Sequence, residues 1–126
     1  MTAQRISLPL LGVYTFASFL HFAHNGLRLA DYPNMPGWIT AAGVYGTWLD
    51  SAAVGLVGLV LSRLGYRVTG LLLLALYAVA GLDGLAHYAL APFSAHSLAM
   101  NFTIGFEVLT ATLLLIAIGR MLRTRA

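Results

Sequence analysis

The chain has 126 residues; 60% are hydrophobic and only 9% charged, with four acids, no lysine, no cysteine and a formal net charge of +3. So few ionised side chains cannot cover the surface of a soluble domain, so the composition, with a mean hydropathy of +0.83, predicts an integral membrane protein. The missing cysteines exclude a disulfide framework, a thiolate metal site and a cysteine nucleophile. A pI near 9.7 does not mark a nucleic-acid partner, because the arginines sit at segment ends and form no patch with interleaved aromatics.

Four apolar segments of spanning length follow one another, at about 8–29, 38–61, 68–90 and 97–122. The first carries His21 and His24 and ends before Pro33 and Pro36, which stop a helix. Asp50 interrupts the second, which is rich in small residues at Gly43, Gly46, Gly55 and Gly58. A short break with Gly65 between Arg63 and Arg67 leads to the third, where Gly81 and Gly84 flank Asp83 and His87 follows one turn later. The fourth follows a connection containing Pro92 and His96 and holds Glu107. The expectation is an all-α single domain over 1–126, a four-transmembrane-helix bundle running up-down-up-down, with small residues where helices approach closely.

Arginine placement sets the expected orientation. Arg5, Arg63, Arg67, Arg120, Arg123 and Arg125 fall on one side and Arg28 alone on the other. The positive-inside rule then puts both termini in the cytoplasm, in a bacterial inner (cytoplasmic) membrane, with the Pro-rich loop and the His96 loop facing outward. A cleaved leader is the competing reading of the first segment. Its apolar run is too long for one and lacks a small-x-small site.

Three carboxylates thus lie within the hydrocarbon, and all four histidines lie near one face of it. At a rise of ~1.5 Å per residue, His87 sits about 5 Å, His24 about 8 Å, Asp83 about 11 Å and His21 about 12 Å below the outer face. Glu107 lies about 15 Å down and Asp50 about 18 Å. Ionisable groups are expensive at such depths and mark function by default. His21 and His24 share a helix face, as do Asp83 and His87. His96, Met100, Thr103 and Glu107 follow one stripe if the last helix already includes His96, and Thr47, Asp50, Ser51 and Val54 are expected to face inward from the second. Each hairpin pairs a histidine near the outer end of its rising helix with a mid-membrane acid on its descending one, a hint of two parallel repeats.

Imidazole nitrogens mixed with carboxylate oxygens suit Zn²⁺, Fe²⁺ or Mn²⁺, whereas Cu⁺ prefers sulfur and copper ranks behind them. A divalent ion would also keep buried carboxylates ionised at tolerable cost. The expected metal ligands are His21, His24, Asp83, His87 and Glu107, with Asp50 as ligand or as acceptor for a histidine N–H, and His96 as the weakest member. The Glu-x-x-His pairs of di-iron bundles are absent. With an open coordination position the ion would support a metal-dependent oxidoreductase or hydrolase acting on a small or lipid-like substrate that enters between helices. The bland account is that the acids pair with His or Tyr and only fix packing.

The alternatives are a proton or metal-ion transporter, a haem b electron-transfer protein held by His21 or His24 with His87, and an accessory subunit of a larger membrane complex. Transport is disfavoured by the dry inner half, where only Tyr14, Thr15, Ser18, Tyr77, Thr110 and Thr112 offer polar groups. The expected partners are the lipid bilayer and a homo-oligomer or larger complex, with no nucleic acid. Tyr32, Trp38 and Tyr88 fit an interfacial aromatic belt, Arg28 with Asp31 an interfacial pair, and Met100 packing. Asn25 and Asn101 are left between orienting a ligand and joining helices.

Overall fold

The computed structural model describes residues 5–124; Arg125, counted in the charge asymmetry, lies outside them. Helix α1 spans Leu8–Leu27, started by the Ser7 hydroxyl accepting from Leu10 N at 3.3 Å and by Pro9 in the first turn. Helix α2, Ala41–Arg63, begins at Thr40, whose hydroxyl accepts from Gly43 N at 3.0 Å. Gly65, at φ +99, turns the chain into α3, Arg67–Ala80. A short piece, α4, covers Ala86–Leu90, and α5 runs Leu98–Arg123 from its cap at Ser97. No strand occurs among the described residues.

Three stretches are long and apolar enough to cross a membrane: Ala41–Arg63, Arg67–Leu90 and Leu98–Arg123. Helix α1 is not among them; its last turns carry His21, His24 and Asn25. Its outer face still carries exposed Val13, Phe16 and Phe19, and exposed leucines and valines line the outside of the other helices.

Consecutive long helices pack side by side and α5 closes the ring against α1. Their antiparallel order is legible in the contacts. Gly55 meets the Tyr77 ring while Gly58 meets Gly70, and Arg67 Nη2 donates to Met121 O at 3.4 Å at the opposite end from the histidines. A Cβ on Gly58 would stand 2.9 Å from Gly70 O and from Leu74 N, so only glycine lets α2 and α3 approach this closely. The half of the bundle near Arg67 is filled by Leu11, Leu71, Leu74, Leu114, Ile118 and Met121.

Two expectations are corrected. The third segment is not one continuous α-helix: Gly81–Leu82 turn, and Asp83–Leu85 form a 3₁₀ turn with Leu85 N bonded to Leu82 O at 3.1 Å. The cause is packing, since Gly81 lies against Tyr14 and Gly84 against His21. The second concerns α2. The side it buries holds Val44, Gly55 and Gly58, and the Thr47–Asp50–Ser51–Val54 stripe lines an outer groove with Leu76 and Tyr77.

Candidate functional site

The site is assembled by the last turns of α1, the 3₁₀ turn with α4, and the start of α5. On α5 the stripe Met100, Thr103, Glu107, Thr110 and Ala111 faces the bundle, so Glu107 is 0% exposed. Its Oε2 lies 2.9 Å from His21 Nδ1, but off the line of a hydrogen bond, so neither carboxylate oxygen nor that nitrogen has an aligned partner. Ser18 lies beside the same carboxyl. His21 is held by packing on Gly84, where a Cβ would come within 2.8 Å of its Cε1.

The His87 ring stacks at a tilt 5.4 Å from His21. Asn25 Nδ2 donates to His87 Nε2 at 3.1 Å, which leaves the ring proton on Nδ1. Asn25 therefore orients a histidine. Its own Oδ1 is buried and without a partner.

His96 is more deeply engaged than its loop position suggests. It precedes α5 and so does not extend the helical stripe, yet it is buried, with its ring 6.2 Å from His87 and 5.2 Å from Tyr88. Its Nδ1 faces Pro92 O at 3.0 Å; a carbonyl only accepts, so Nδ1 carries the proton and Nε2 presents a lone pair. That Nε2 is buried and has no partner. Asn101 fixes this turn, donating to Phe93 O and His96 O at 3.3 Å each while accepting from the Tyr88 hydroxyl at 2.9 Å.

His24 turns away from the other three and shares a 2.9 Å hydrogen bond with the Tyr32 hydroxyl. It lines an opening of about 430 Å³ with Arg28, Asp31 and Met100. Tyr32 departs from the aromatic-belt expectation: it is 3% exposed and folds back with its ring 4.8 Å from His87. Burial pushes its hydroxyl up to about 12, so it stays protonated over the working range. Trp38, 81% exposed, fits the belt, Arg28 and Asp31 form an exposed pair at 3.6 Å, and Met100 packs with its sulfur accepting from Ser97 N at 3.4 Å.

Asp83 sits in the 3₁₀ turn, exposed toward a cleft of about 650 Å³ that His21, Asn25 and His87 also line. The remaining cleft walls are mainly apolar, from Met35, Ile39, Gly43, Val44, Ala86 and Leu90. Asp50 is not brought here. It is exposed on the outer groove of α2, because the glycine face of that helix takes the inward position.

Below Glu107 a short set of hydroxyls continues. Tyr14 OH donates to Tyr77 O at 2.7 Å, and Tyr77 OH donates to Thr15 Oγ1 at 3.1 Å. The apolar half of the core then closes the way. As the side chains stand, no three His, Asp or Glu groups among the described residues are placed to hold a metal ion together. What the cluster does hold is a set of buried atoms wanting a partner: Glu107 Oε1 and Oε2, His21 Nδ1 and His96 Nε2. A cation, or protons moving among them, would satisfy them.

Comparison with known proteins finds no matching family model, no matching curated protein and no matching solved structure.

Proposed function

We propose that this chain is a four-span membrane protein that binds a divalent metal ion, with zinc, iron or manganese favoured, at a His/carboxylate site toward the outer face. The observation that carries the reading is Glu107, fully enclosed with neither carboxylate oxygen in an aligned hydrogen bond, and with only the Ser18 hydroxyl and the unpartnered nitrogen of His21 beside it. A buried carboxylate with no more than one hydroxyl beside it is costly unless a cation or a proton joins it. Glu107 and His21 would form the inner part of the site, with Asp83, His87 and His96 turning toward the ion. His87 would exchange its bond from Asn25 for the metal, and His96 is already in the tautomer that ligation through Nε2 requires. An open position would face the cleft, where the ion would polarise water or another oxygen ligand.

Both termini are assigned to the cytoplasm, since Arg63, Arg67, Arg120 and Arg123 lie at the helix ends remote from the histidines. Transport ranks lower, because Leu11, Leu71, Leu74 and Leu114 fill the inner half. Haem ranks lower still, since His21 and His87 lie side by side with Asn25 and Tyr32 packed on His87, leaving no slot between the rings for a macrocycle.

Elemental analysis and a visible spectrum of tag-free protein purified in mild detergent test the reading. Near-stoichiometric metal is expected in the parent and in Arg28→Ala, with loss in His87→Ala and Asp83→Asn. Lowering the pH from neutral to mildly acidic should release the ion, because a protonated imidazole cannot ligate. Retention of metal in both site variants or through acidification, or folded protein that takes up no metal, would overturn it. A Soret band would move the reading to haem.

A further inference from the structure

We propose that the 650 Å³ cleft binds one single-chain amphiphile with a neutral hydroxyl head, the head against His21, Asp83 and His87 and the chain along the start of α2. This deepens the metal reading and rests on it for the choice of head. Size sets the first limit. The volume falls in the range of about 300–1,000 Å³ usual for small-molecule sites. At about 30 Å³ per water-sized group it takes roughly twenty methylene-sized groups, the size of a head and one chain.

Polarity sets the second. The groups able to hydrogen-bond a head, His21, Asn25, Asp83 and His87, gather on the wall made by α1 and the broken third segment. The facing wall, from Met35 through Thr47, holds two hydroxyls, Thr40 and Thr47, both engaged with the backbone of Gly43, and is otherwise hydrocarbon, with exposed Trp38 at its rim. An occupant must therefore be polar at one end and apolar along its length.

Charge sets the third. No arginine lines the cleft, while Asp83 borders it and Glu107 lies behind His21. Two carboxylates already balance a divalent ion, so an anionic head would bring an uncompensated charge, and a cationic head would compete with the ion. A neutral hydroxyl fits both states: it donates to Asp83 in the metal-free protein and offers its oxygen to the ion in the loaded one.

The test follows quenching of Trp38 emission in Trp48→Phe protein, in nanodiscs of zwitterionic phospholipid, by a doxyl-labelled C18 alcohol. It is run metal-free and zinc-loaded. Saturable quenching by the alcohol is expected, with the matched doxyl fatty acid and doxyl amine at least about tenfold weaker. Ala86→Phe, which fills the cleft from an exposed position, should remove saturation while leaving metal content unchanged. Quenching that rises linearly with probe, survives Ala86→Phe, or is matched by the fatty acid, the amine or a doxyl phospholipid would overturn the proposal. Linear quenching in protein that binds zinc defeats this inference alone. Saturation with alcohol preference in protein that takes no metal leaves the cleft standing and removes the metal reading.

Discussion

The two descending helices, α2 and α5, each carry one acid near mid-length, and the bundle treats the two acids in opposite ways. Glu107 lies on the stripe that α5 buries, in line with Ile104, Ala111 and Leu114. Asp50 lies on the open side of α2, whose apolar window is only 17% buried against 39% for the other two spanning stretches. Gly55 and Gly58 decide this: they must face Tyr77 and Gly70 for α2 and α3 to close. Asp50, five residues before Gly55, is then turned roughly 140° away. Where two demands on one helix conflict, the closest backbone approach fixes the rotation and the acid takes the face that remains.

The sharpest way to break that account is to disturb the glycine face itself. Gly58→Leu should lower bundle stability by about 3 kcal/mol, read as an earlier melting transition in detergent. Gly46→Leu on the same helix, where a Cβ meets nothing within 4 Å, should melt with the parent. Equal losses in both would mean that α2 is not oriented by its glycines. Next in size, Asp50→Leu should raise stability in a bilayer by about 2 kcal/mol if the bundle inserts as proposed, since the exposed acid would then meet hydrocarbon, which prefers leucine. A drop in stability or in oligomeric size would instead reveal a partner covering that groove.

The acids themselves come next. Glu107→Gln should weaken metal retention at least about tenfold, whereas Asp50→Asn should leave it unchanged by elemental analysis. The reverse ranking would place the ion on the wrong helix. The smallest effect belongs to Arg28→Ala. Its exposed pair with Asp31 is worth within about 0.5 kcal/mol, and a larger shift in melting would make that opening part of the site.

Hydropathy and breakers place the ends of α1, α2 and α5 within a few residues, whereas the α-helix of the third segment stops ten residues early at Ala80. That much is legible because length and apolar content are properties of a segment alone. Rotation about the helix axis is not such a property, so Asp50 stands on the outer groove of α2 and not on the inward stripe its spacing predicts. The burial of His96 is not legible in its loop position, because it depends on Asn101 and Pro92, which act through the fold of the 93–96 turn. Tyr32 read as an interfacial aromatic; only the return of the loop over His87 gives it another place. Gly81 and Gly84 around Asp83 did carry a signal. Two glycines bracketing an acid inside an apolar stretch can mark a change of helix type as well as a close contact.

That change of helix type has a dynamic consequence. Within Gly81–Leu85 the amides of Gly81, Leu82 and Leu85 bond three residues back, in a weaker geometry than the ladder on either side. Hydrogen exchange should therefore run fastest there among the amides of the third segment's interior. The outer piece, from the 3₁₀ turn with Asp83 to α4 with His87, would then open more readily than the glycine-locked contact of α2 with α3.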